Sequence, residues 1–213
     1  EPIRMRRVAF PLALLIAIAP IGADARRDAA PQTRSSAPPA GPVAAQVSVC
    51  FVPAQQCDTA ITAAIDAARD SIRVQAYGFT APRILRALAA AHDRGIDVQI
   101  ILDKSNEPEG RQVQSAGASF TRDVGIPTWI DDTVAIAHNK LIVIDGHLVI
   151  GGSYNYTSSA ERRNAENVTF IDSPAVAAMY LANWDLRRAV SKSLQTQPGG
   201  PAAFLAAPAP LRN

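Results

Sequence analysis

Polar residues of four kinds lie close together in the middle of the chain, in the stretch HNKLIVIDGHLVIGGSYN. His138 and Lys140 are two positions apart on a predicted strand, so their side chains project to the same side. The next predicted strand leads into Gly152, Ser153 and Asn155, and the hairpin between the strands returns them toward His138. An imidazole, an ammonium, a hydroxyl and an amide arranged in this way can attack and hold one phosphoryl group without a metal ion.

His138 alone, beside a run of aliphatic residues, is most simply interpreted as a core histidine. Its companions argue against that interpretation, because Lys140, Ser153 and Asn155 follow at spacings that place them at one end of a hairpin. Gly151 and Gly152 remove side chains at the same end, which lets backbone or a ligand approach closely. The constellation occurs once in the chain.

Strands and helices alternate along the body of the chain, and a hairpin follows them. This order predicts an α/β fold, with a mixed β-sheet sandwiched between helices and one motif per chain. Thr80 and Ser173 are predicted helix N-caps, with Pro82 in the first turn of the helix that follows Thr80. The predicted strands are 47–52, 71–77, 96–102, 127–130, 140–144, 148–150 and 168–171, and the predicted helices are 59–69, 82–93, 112–124 and 173–191.

The two ends of the chain have compositions that cannot bury a core. Residues 1–25 carry a basic start, a short apolar run and an Ala-Asp-Ala site, which is the order of a secretory signal cleaved after Ala25; retention as an anchor at a lipid surface is the alternative. Residues 26–45 are predicted to be a flexible Ala/Pro linker and 195–213 a flexible tail, leaving 46–194 as one domain. We therefore predict a periplasmic or secreted protein with no stable membrane insertion after cleavage.

Bulk charge and the scattered histidines exclude several classes of protein. The formal net charge is +2, so the chain is not a polybasic nucleic-acid binder, and any attraction for phosphate must come from local placement of Lys and Arg. The three histidines are far apart in the sequence, so we predict no metal site and no cofactor.

The chain has two cysteines, Cys50 and Cys57. Export to an oxidising compartment predicts a disulfide between them, and a pair of free thiols is the alternative.

The motif stretch resembles the phospholipase D superfamily motif H-x-K-x4-D-x6-G-S-x-N. Further segments resemble the superfamily's single-motif bacterial endonucleases, namely VQAYGFTAPRILRAL, RGIDVQIILDKS, GIPTWIDD, GSYNYTSSAE and NAEN. The likeness covers most of residues 47–184; Gly151 departs from it, since related chains often have threonine there. The resemblance implies the superfamily's fold and a metal-independent phosphodiesterase. The motif residues are His138, Lys140, Asp145, Gly152, Ser153 and Asn155.

The resemblance also implies a role for each motif residue. His138 attacks phosphorus and forms a covalent phosphohistidine, while Lys140, Ser153 and Asn155 hold the non-bridging oxygens. Glu166, in the segment NAEN, matches the acidic residue that supports the nucleophilic imidazole in related chains.

Asp145 belongs to the motif and is therefore a candidate catalytic residue, but it is predicted in a turn beside Gly146. We interpret it as mainly structural, holding the hairpin.

The implied mechanism needs a second histidine to protonate the leaving oxygen and then to activate water. His92 is predicted near the end of an amphipathic helix, and His147 in the turn after Asp145, away from His138. Neither suits the task, so we predict a homodimer in which a second copy supplies its own His138 across a two-fold axis.

The substrate is predicted to be nucleic acid, DNA or also RNA, with a lipid phosphodiesterase acting on phospholipid or cardiolipin as the alternative. A lipid phosphodiesterase would be expected to have an exposed apolar loop near the motif, and the sequence offers no clear one. A third alternative, a non-catalytic phosphate-binding module, is disfavoured because the motif is complete. Lys104, Asn106 and Arg111 follow a predicted strand end and could line a groove for the nucleic-acid backbone. The alternative is that they belong to an ordinary solvated loop. Gly152 and Tyr154 are further candidates, although Tyr154 is equally suited to packing.

Overall fold

The structure of the protein, a computed structural model, describes residues 41–107 and 115–194. The predicted signal, the tail, Arg111 and the linker up to residue 40 lie outside the described residues. Residues 41–45 of the linker precede the first strand without regular structure.

The described chain forms one mixed sheet of eight strands with helices on both faces, as predicted. The strand order is β1-β7-β6-β5-β2-β3-β4-β8, in which β2, β3 and β4 are parallel and the remaining pairs are antiparallel. The elements are β1 Gln46–Val52, α1 Cys57–Asp66, β2 Ser71–Ala76, α2 Pro82–Asp93, β3 Asp97–Asp103, a 3₁₀ turn Lys104–Asn106, α3 Ser115–Asp123, β4 Thr128–Asp131, β5 Lys140–Ile144, β6 Leu148–Gly152, α4 Ser158–Arg163, β7 Glu166–Asp172, α5 Pro174–Val190 and β8 Lys192–Leu194.

Apolar side chains alternate between the two faces of the sheet and form two clusters. The larger one packs β-strand residues such as Ile72 and Val74 against α1, α2 and α3. The smaller one lies on the opposite face, where Leu141 and Val143 of β5 meet α5. Central strands that are buried on both faces are nearly continuous aliphatic runs, which is why these segments were recognisable as strands.

Most predicted elements are present with ends shifted by one to three residues, and a few local predictions were wrong. Thr80 is not the N-cap of α2: Ala81 occupies that position without a side-chain cap, and the Thr80 N–H donates to the Tyr156 carbonyl. Ser173 does cap α5, since its hydroxyl accepts from the Val176 N–H. Helix α4 and strand β8 were not predicted, because each is too short to carry a periodic pattern.

The predicted disulfide is confirmed. Cys50 of β1 is bonded to Cys57, the first residue of α1, with Cα atoms 5.7 Å apart. The bond joins the edge strand of the sheet to the helix packed behind it.

Strand directions define two opposite ends of the sheet. Ala76 at the end of β2 pairs with Lys140 at the start of β5, and Gly151 near the end of β6 pairs with Leu141. We call this end the motif edge, and the opposite end, where β5 turns into β6 at Asp145, the turn edge. Within the described residues, no helix combines the length and hydropathy needed to cross a bilayer.

Candidate active site

His138 and Lys140 are in direct contact at the motif edge. Lys140 Nζ lies 3.1 Å from His138 Nε2 and 3.1 Å from the His138 carbonyl oxygen. Lys140 is the first residue of β5, as the predicted strand 140–144 has it, and His138 lies just before the strand. The imidazole is exposed to solvent, as an attacking group must be. This contact is a hydrogen bond from the ammonium in the tautomer whose Nε2 carries a free lone pair.

Tyr77 supports this pair and was missed by the sequence analysis. Its ring makes an edge contact with the His138 imidazole, with ring centroids 4.7 Å apart, and Lys140 Nζ lies 5.7 Å from its centroid. The Tyr77 N–H donates to the Asn139 carbonyl, continuing the pairing of β2 with β5 by one residue. Recognising Tyr77 required the sheet order, because β2 and β5 are distant in sequence.

The Lys140 ammonium is half-buried, and this burial changes its pKa. Burial lowers the pKa of Lys140 below its ordinary value of 10.5, while the nearby Glu166 carboxylate acts in the opposite direction without restoring it. Lys140 therefore holds its proton less tightly than a surface lysine does. Such a group can share its protons with an anionic oxygen that approaches it.

Glu166 is at the motif edge but does not make the predicted contact. Its carboxylate accepts from Ser153 Oγ at 2.5 Å and from Asn164 Nδ2 at 2.8 Å. Within the described residues no hydrogen bond joins it to His138, because its oxygens face these two neighbours. In this structure Glu166 orients the Ser153 hydroxyl and contributes charge near Lys140.

Two glycines allow the motif strands to approach their neighbours. A side chain on Gly152, which has φ of +144°, would place its Cβ 2.3 Å from the Asn167 carbonyl oxygen. The lack of a side chain at Gly152 thus serves the approach of β6 to β7 rather than contact with substrate. Gly78 likewise allows Asn155 to approach closely, because a Cβ added at position 78 would lie 3.2 Å from the Asn155 Cβ. The buried Asn155 Oδ1 has no hydrogen-bond partner among the described residues.

Buried polar residues after β3 hold the loop that leads to His138. The Asp103 carboxylate, 2% exposed, accepts from the Ala137 N–H at 2.7 Å and from the Ser105 N–H at 2.9 Å. Lys104 Nζ donates to the Val134 carbonyl at 2.9 Å, which ties this predicted substrate contact into the same loop. The buried Asn106 donates to the Tyr77 carbonyl at 2.8 Å. Asp103 was not singled out from the sequence, and Asn106 is buried in this support rather than lining a groove as suggested.

Asp145 lies at the turn edge, away from the other motif residues. It follows the five residues of β5, which puts it on the order of 15 Å from Lys140 at about 3.3 Å per residue. Its carboxylate accepts from the N–H groups of Arg69, Asp70 and Ser71, each at 2.9 Å. Burial raises the pKa of Asp145, but these three donors outweigh it, and the net pKa is lowered. The position agrees with the structural interpretation and removes Asp145 from the catalytic set.

Tyr154 packs in the core and does not face the motif edge. It is 2% exposed, and its hydroxyl donates to Glu161 at 2.9 Å. The same Glu161 carboxylate accepts from the Asp58 N–H, so Tyr154 joins α4 to the start of α1. The substrate contact suggested for Tyr154 is therefore wrong.

The remaining histidines lie far from His138. His147 is in the β5–β6 turn and is hydrogen-bonded to Asp172 at 2.9 Å. His92 is in the last turn of α2, a helix that starts near the motif edge and runs away from it. Each copy of the chain thus brings one histidine to the motif edge. Among residues 41–107 and 115–194, no group of three or more potential ligands from His, Cys, Asp and Glu is placed to hold a metal ion.

A family model and the related proteins that we compared all indicate the same family. Residues 61–185 match the family model described as "Cardiolipin synthase, PLD-like domain". A protein named phospholipase D from Rickettsia bellii is 44% identical over 144 residues, covering 68% of this chain and 70% of the relative. A mitochondrial cardiolipin hydrolase from dog is 27% identical over 157 residues, covering 73% of this chain and 58% of the relative.

Solved structures agree with this result. The crystal structure of a phospholipase D family member, Nuc from Salmonella typhimurium, has a TM-score of 0.66 and 35% identity, covering 71% of this chain and 99% of Nuc. NucT from Helicobacter pylori, at 23% identity and a TM-score of 0.62, shares the fold, covering 71% of this chain and 100% of NucT. With His138, Lys140 and Ser153 at the motif edge of a matching fold, the chain belongs to the phospholipase D superfamily of phosphodiesterases.

Proposed function

We propose that the protein is a metal-independent endonuclease that cleaves phosphodiester bonds of DNA, and also of RNA, through a covalent intermediate on His138. The observation that carries the proposal is the pairing of an exposed imidazole with an ammonium, with His138 Nε2 and Lys140 Nζ 3.1 Å apart. This pairing places a nucleophile beside a group that neutralises phosphate charge.

In the first step, His138 Nε2 attacks phosphorus and forms an N–P bond, while the bond from phosphorus to the leaving oxygen breaks. Lys140 moves from Nε2 to a non-bridging oxygen as substrate arrives, which frees the lone pair for attack. Ser153 and Asn155 donate to the other oxygens. A second imidazole transfers its proton to the leaving oxygen.

In the second step, the same second imidazole takes a proton from water as the water oxygen attacks phosphorus. The N–P bond breaks, and His138 leaves as neutral imidazole once proton transfer is complete. Two modest barriers replace one high barrier, and no group outside the protein is consumed except water.

The second imidazole is proposed to be His138 of a second copy, since His92 and His147 lie away from the motif edge. A two-fold homodimer brings two copies of one surface together and so pairs two identical residues at its axis. The exposure of His138 leaves room for a partner's imidazole on the far side of a bound phosphate.

Nucleic acid is favoured by the resemblance of the flanking segments to single-motif bacterial endonucleases and by the likeness to Nuc over nearly its full length. Among the described residues the motif edge presents no groove-reading element, so contacts to the phosphate backbone are expected to dominate. Binding that relies on phosphate contacts has little sequence specificity and weakens steeply with salt.

A lipid phosphodiester is the second candidate, and one feature of the structure favours it. Ile136 is 58% exposed in the loop that leads to His138, which places an apolar side chain where none was evident from the sequence. Relatives named phospholipase D and mitochondrial cardiolipin hydrolase agree with such a substrate. An apolar side chain beside the reacting group is suited to contact acyl chains.

A periplasmic or secreted location is also part of the proposal. The Cys50–Cys57 disulfide supports it, because disulfides persist in oxidising compartments.

The test compares plasmid DNA and cardiolipin vesicles as substrates, each in excess EDTA. We expect nicking of the plasmid by the wild-type chain in EDTA and none by His138→Ala, with Ile136→Ser retaining the nuclease activity. Loss of nicking in EDTA contradicts the metal-independent mechanism. Release of phosphatidate from vesicles without nicking, reduced in Ile136→Ser, selects the lipid substrate instead.

A further inference from the structure

A polar cleft opens beside the motif edge, on the side of the sheet that α1 and α2 cover. It has a volume of about 270 Å³ and is walled by the starts of α1 and α2 and by α4. Each of these helices follows a strand that ends at the motif edge, namely β1, β2 and β6. We call it the arginine cleft, and its charged lining residues are Asp58, Arg83, Arg86, Glu161 and Arg162.

Both carboxylates in the wall of the arginine cleft are already engaged. Asp58 accepts from the Arg83 guanidinium at 3.0 Å, and Glu161 accepts from the Tyr154 hydroxyl at 2.9 Å. Glu161 also accepts from the Asp58 N–H at 3.1 Å, so one network joins α1, α2 and α4. The charge of Arg83 is therefore balanced within the fold.

Arg86 and Arg162 face the same cleft from α2 and α4, and both residues are exposed. In the part of the chain that the structure describes, no ion pair includes either guanidinium. A guanidinium presents a planar fork of donors that matches two oxygens of one phosphate. Because the neighbouring carboxylates are engaged elsewhere, these two groups give the cleft the chemistry of an anion site.

Thr157 connects the arginine cleft to the motif residues. It lines the cleft, and its N–H donates to the Asn155 carbonyl at 2.7 Å. A Cβ added at Gly78, the residue after Tyr77, would lie 3.0 Å from Thr157 Cγ2 and 3.2 Å from Asn155 Cβ. Two residues of chain span at most about 7 Å, so the wall of the cleft starts within about 7 Å of the Asn155 backbone.

We propose that the arginine cleft binds a second phosphate of the substrate strand, with Arg86 and Arg162 as its donors, while the phosphate that reacts lies at His138. The inference rests on the proposed function, in which the substrate is nucleic acid. Phosphates of one strand follow one another about every 3.4 Å along the axis of a duplex, and farther apart in an extended strand. A strand that leaves His138 past Asn155 therefore brings a phosphate about one to three nucleotides away to the cleft.

A second phosphate site changes which substrates react well. The motif residues hold a single phosphate, so they act equally on a polynucleotide and on an isolated phosphodiester. Only the polynucleotide reaches the arginine cleft as well. Binding energy from such a remote group helps to position the reacting bond and raises kcat/KM. The cleft therefore makes the enzyme select strands over single phosphodiesters.

A series of chromogenic esters tests the cleft while the reacting bond stays the same. Thymidylates that carry from one to about four phosphates, with a p-nitrophenyl ester on the phosphate at either end, release p-nitrophenolate when that terminal phosphate reacts. We expect kcat/KM of the wild-type chain to rise by about 10-fold at one point of the series, where a phosphate first reaches Arg86 and Arg162.

Single substitutions assign the rise to the cleft. In Arg86→Gln and in Arg162→Gln the rise should be largely lost, while kcat/KM for the one-phosphate ester should change by less than about twofold. Arg69→Gln is the matched control, because it removes the same charge from an exposed arginine at the turn edge. The control should keep both the rise and the activity on the one-phosphate ester.

Two results overturn the assignment directly. One is a rise of the same size in the wild-type chain, Arg86→Gln and Arg162→Gln. The other is an equal loss of activity on the one-phosphate and the longest esters. A lipid source of the second phosphate is distinguished with vesicles, since cardiolipin carries two phosphates and phosphatidylglycerol one. A preference for cardiolipin that Arg86→Gln abolishes, without any rise in the nucleotide series, assigns the cleft to a lipid and also overturns the inference.

Binding separates this inference from the proposed function. A chain that cleaves no nucleic acid can still bind oligothymidylate, and the slope of log affinity against log salt should then become shallower by about 0.7 in Arg86→Gln/Arg162→Gln. That result supports the cleft while the proposed function fails. A chain that cleaves DNA, with kcat/KM and affinity unaffected in Arg86→Gln/Arg162→Gln, keeps the proposed function and overturns the inference.

Discussion

The two ends of the β5–β6 hairpin carry residues of the same motif and treat them in opposite ways. At the turn edge, the Asp145 carboxylate is saturated by three backbone N–H donors. At the motif edge, Lys140 contacts His138 and Ser153 contacts Glu166, so polar side chains are bonded largely to one another. The first arrangement stabilises a fold, and the second leaves groups that can exchange their partners for a phosphate.

Residues of one sequence motif thus need not form one site. Backbone donors cannot move away from Asp145 without breaking the turn, so its contribution is to the free energy of folding. Side-chain partners at the motif edge can rotate, so their contribution is available to a ligand. Substitutions at the motif edge should therefore lower activity, and substitutions at the turn edge should lower stability.

The largest expected effect is that of His138→Ala at the motif edge. Loss of the nucleophile should lower kcat/KM for a phosphodiester such as bis(p-nitrophenyl) phosphate by at least about 1,000-fold. The melting temperature should hardly change, because the imidazole is exposed. His147→Ala, at the turn edge, is the control and should keep full activity. Equal losses of activity in both variants would contradict the different roles of the motif edge and the turn edge.

Lys140→Met should lower kcat by about 100-fold, since one charge-stabilising donor is removed. Lys140→Arg should recover part of the activity. Because burial lowers the pKa of Lys140 below 10.5, wild-type activity should decline on the alkaline side at a lower pH than for an ordinary lysine. A pH–rate profile checks this, and an alkaline limb that is unmoved in Lys140→Arg would count against Lys140 as its source.

Asp145→Asn should reduce the free energy of unfolding at neutral pH by about 2 kcal/mol while leaving the activity per folded molecule intact. The lowered pKa of Asp145 means that its ionised form stabilises the fold above the unfolded value near 3.8, and that this stabilisation is lost as pH falls through the lower folded pKa. Urea denaturation at several pH values should therefore show the two chains converging in acid. A loss of kcat in fully folded Asp145→Asn would return Asp145 to the catalytic set.

The smallest expected effect is that of Lys104→Met. Its ammonium is held by the Val134 carbonyl, so we expect DNA affinity at low salt to fall by no more than about threefold. The slope of affinity against salt should be nearly unchanged. A slope reduced by about 0.9 would indicate a direct phosphate contact and restore the interpretation made from the sequence.

Sequence patterns predicted the architecture because the central strands, buried on both faces, are nearly continuous aliphatic runs. Helix α2 was recognisable because its buried residues recur at helical spacing. They identified His138, Lys140, Ser153 and Asn155 through fixed spacing along one hairpin, where local geometry brings the residues together. They missed Tyr77 and Asp103, which reach the site from strands that are adjacent in the sheet and distant in the chain. They suggested Asn106 as a groove residue, whereas it is buried and supports Tyr77. They assigned Tyr154 and Glu166 contacts that depend on side-chain direction, which spacing does not determine.

The central claim is that the motif edge of one chain is half of a site. The most direct measurement mixes wild-type and His138→Ala chains in equal amounts, allows subunits to exchange, and compares phosphodiesterase activity with that of wild type at the same total concentration. A shared site predicts about a quarter of the activity, since only homodimers of wild type carry two imidazoles. A remaining activity of about one half, as independent sites give, would contradict the claim.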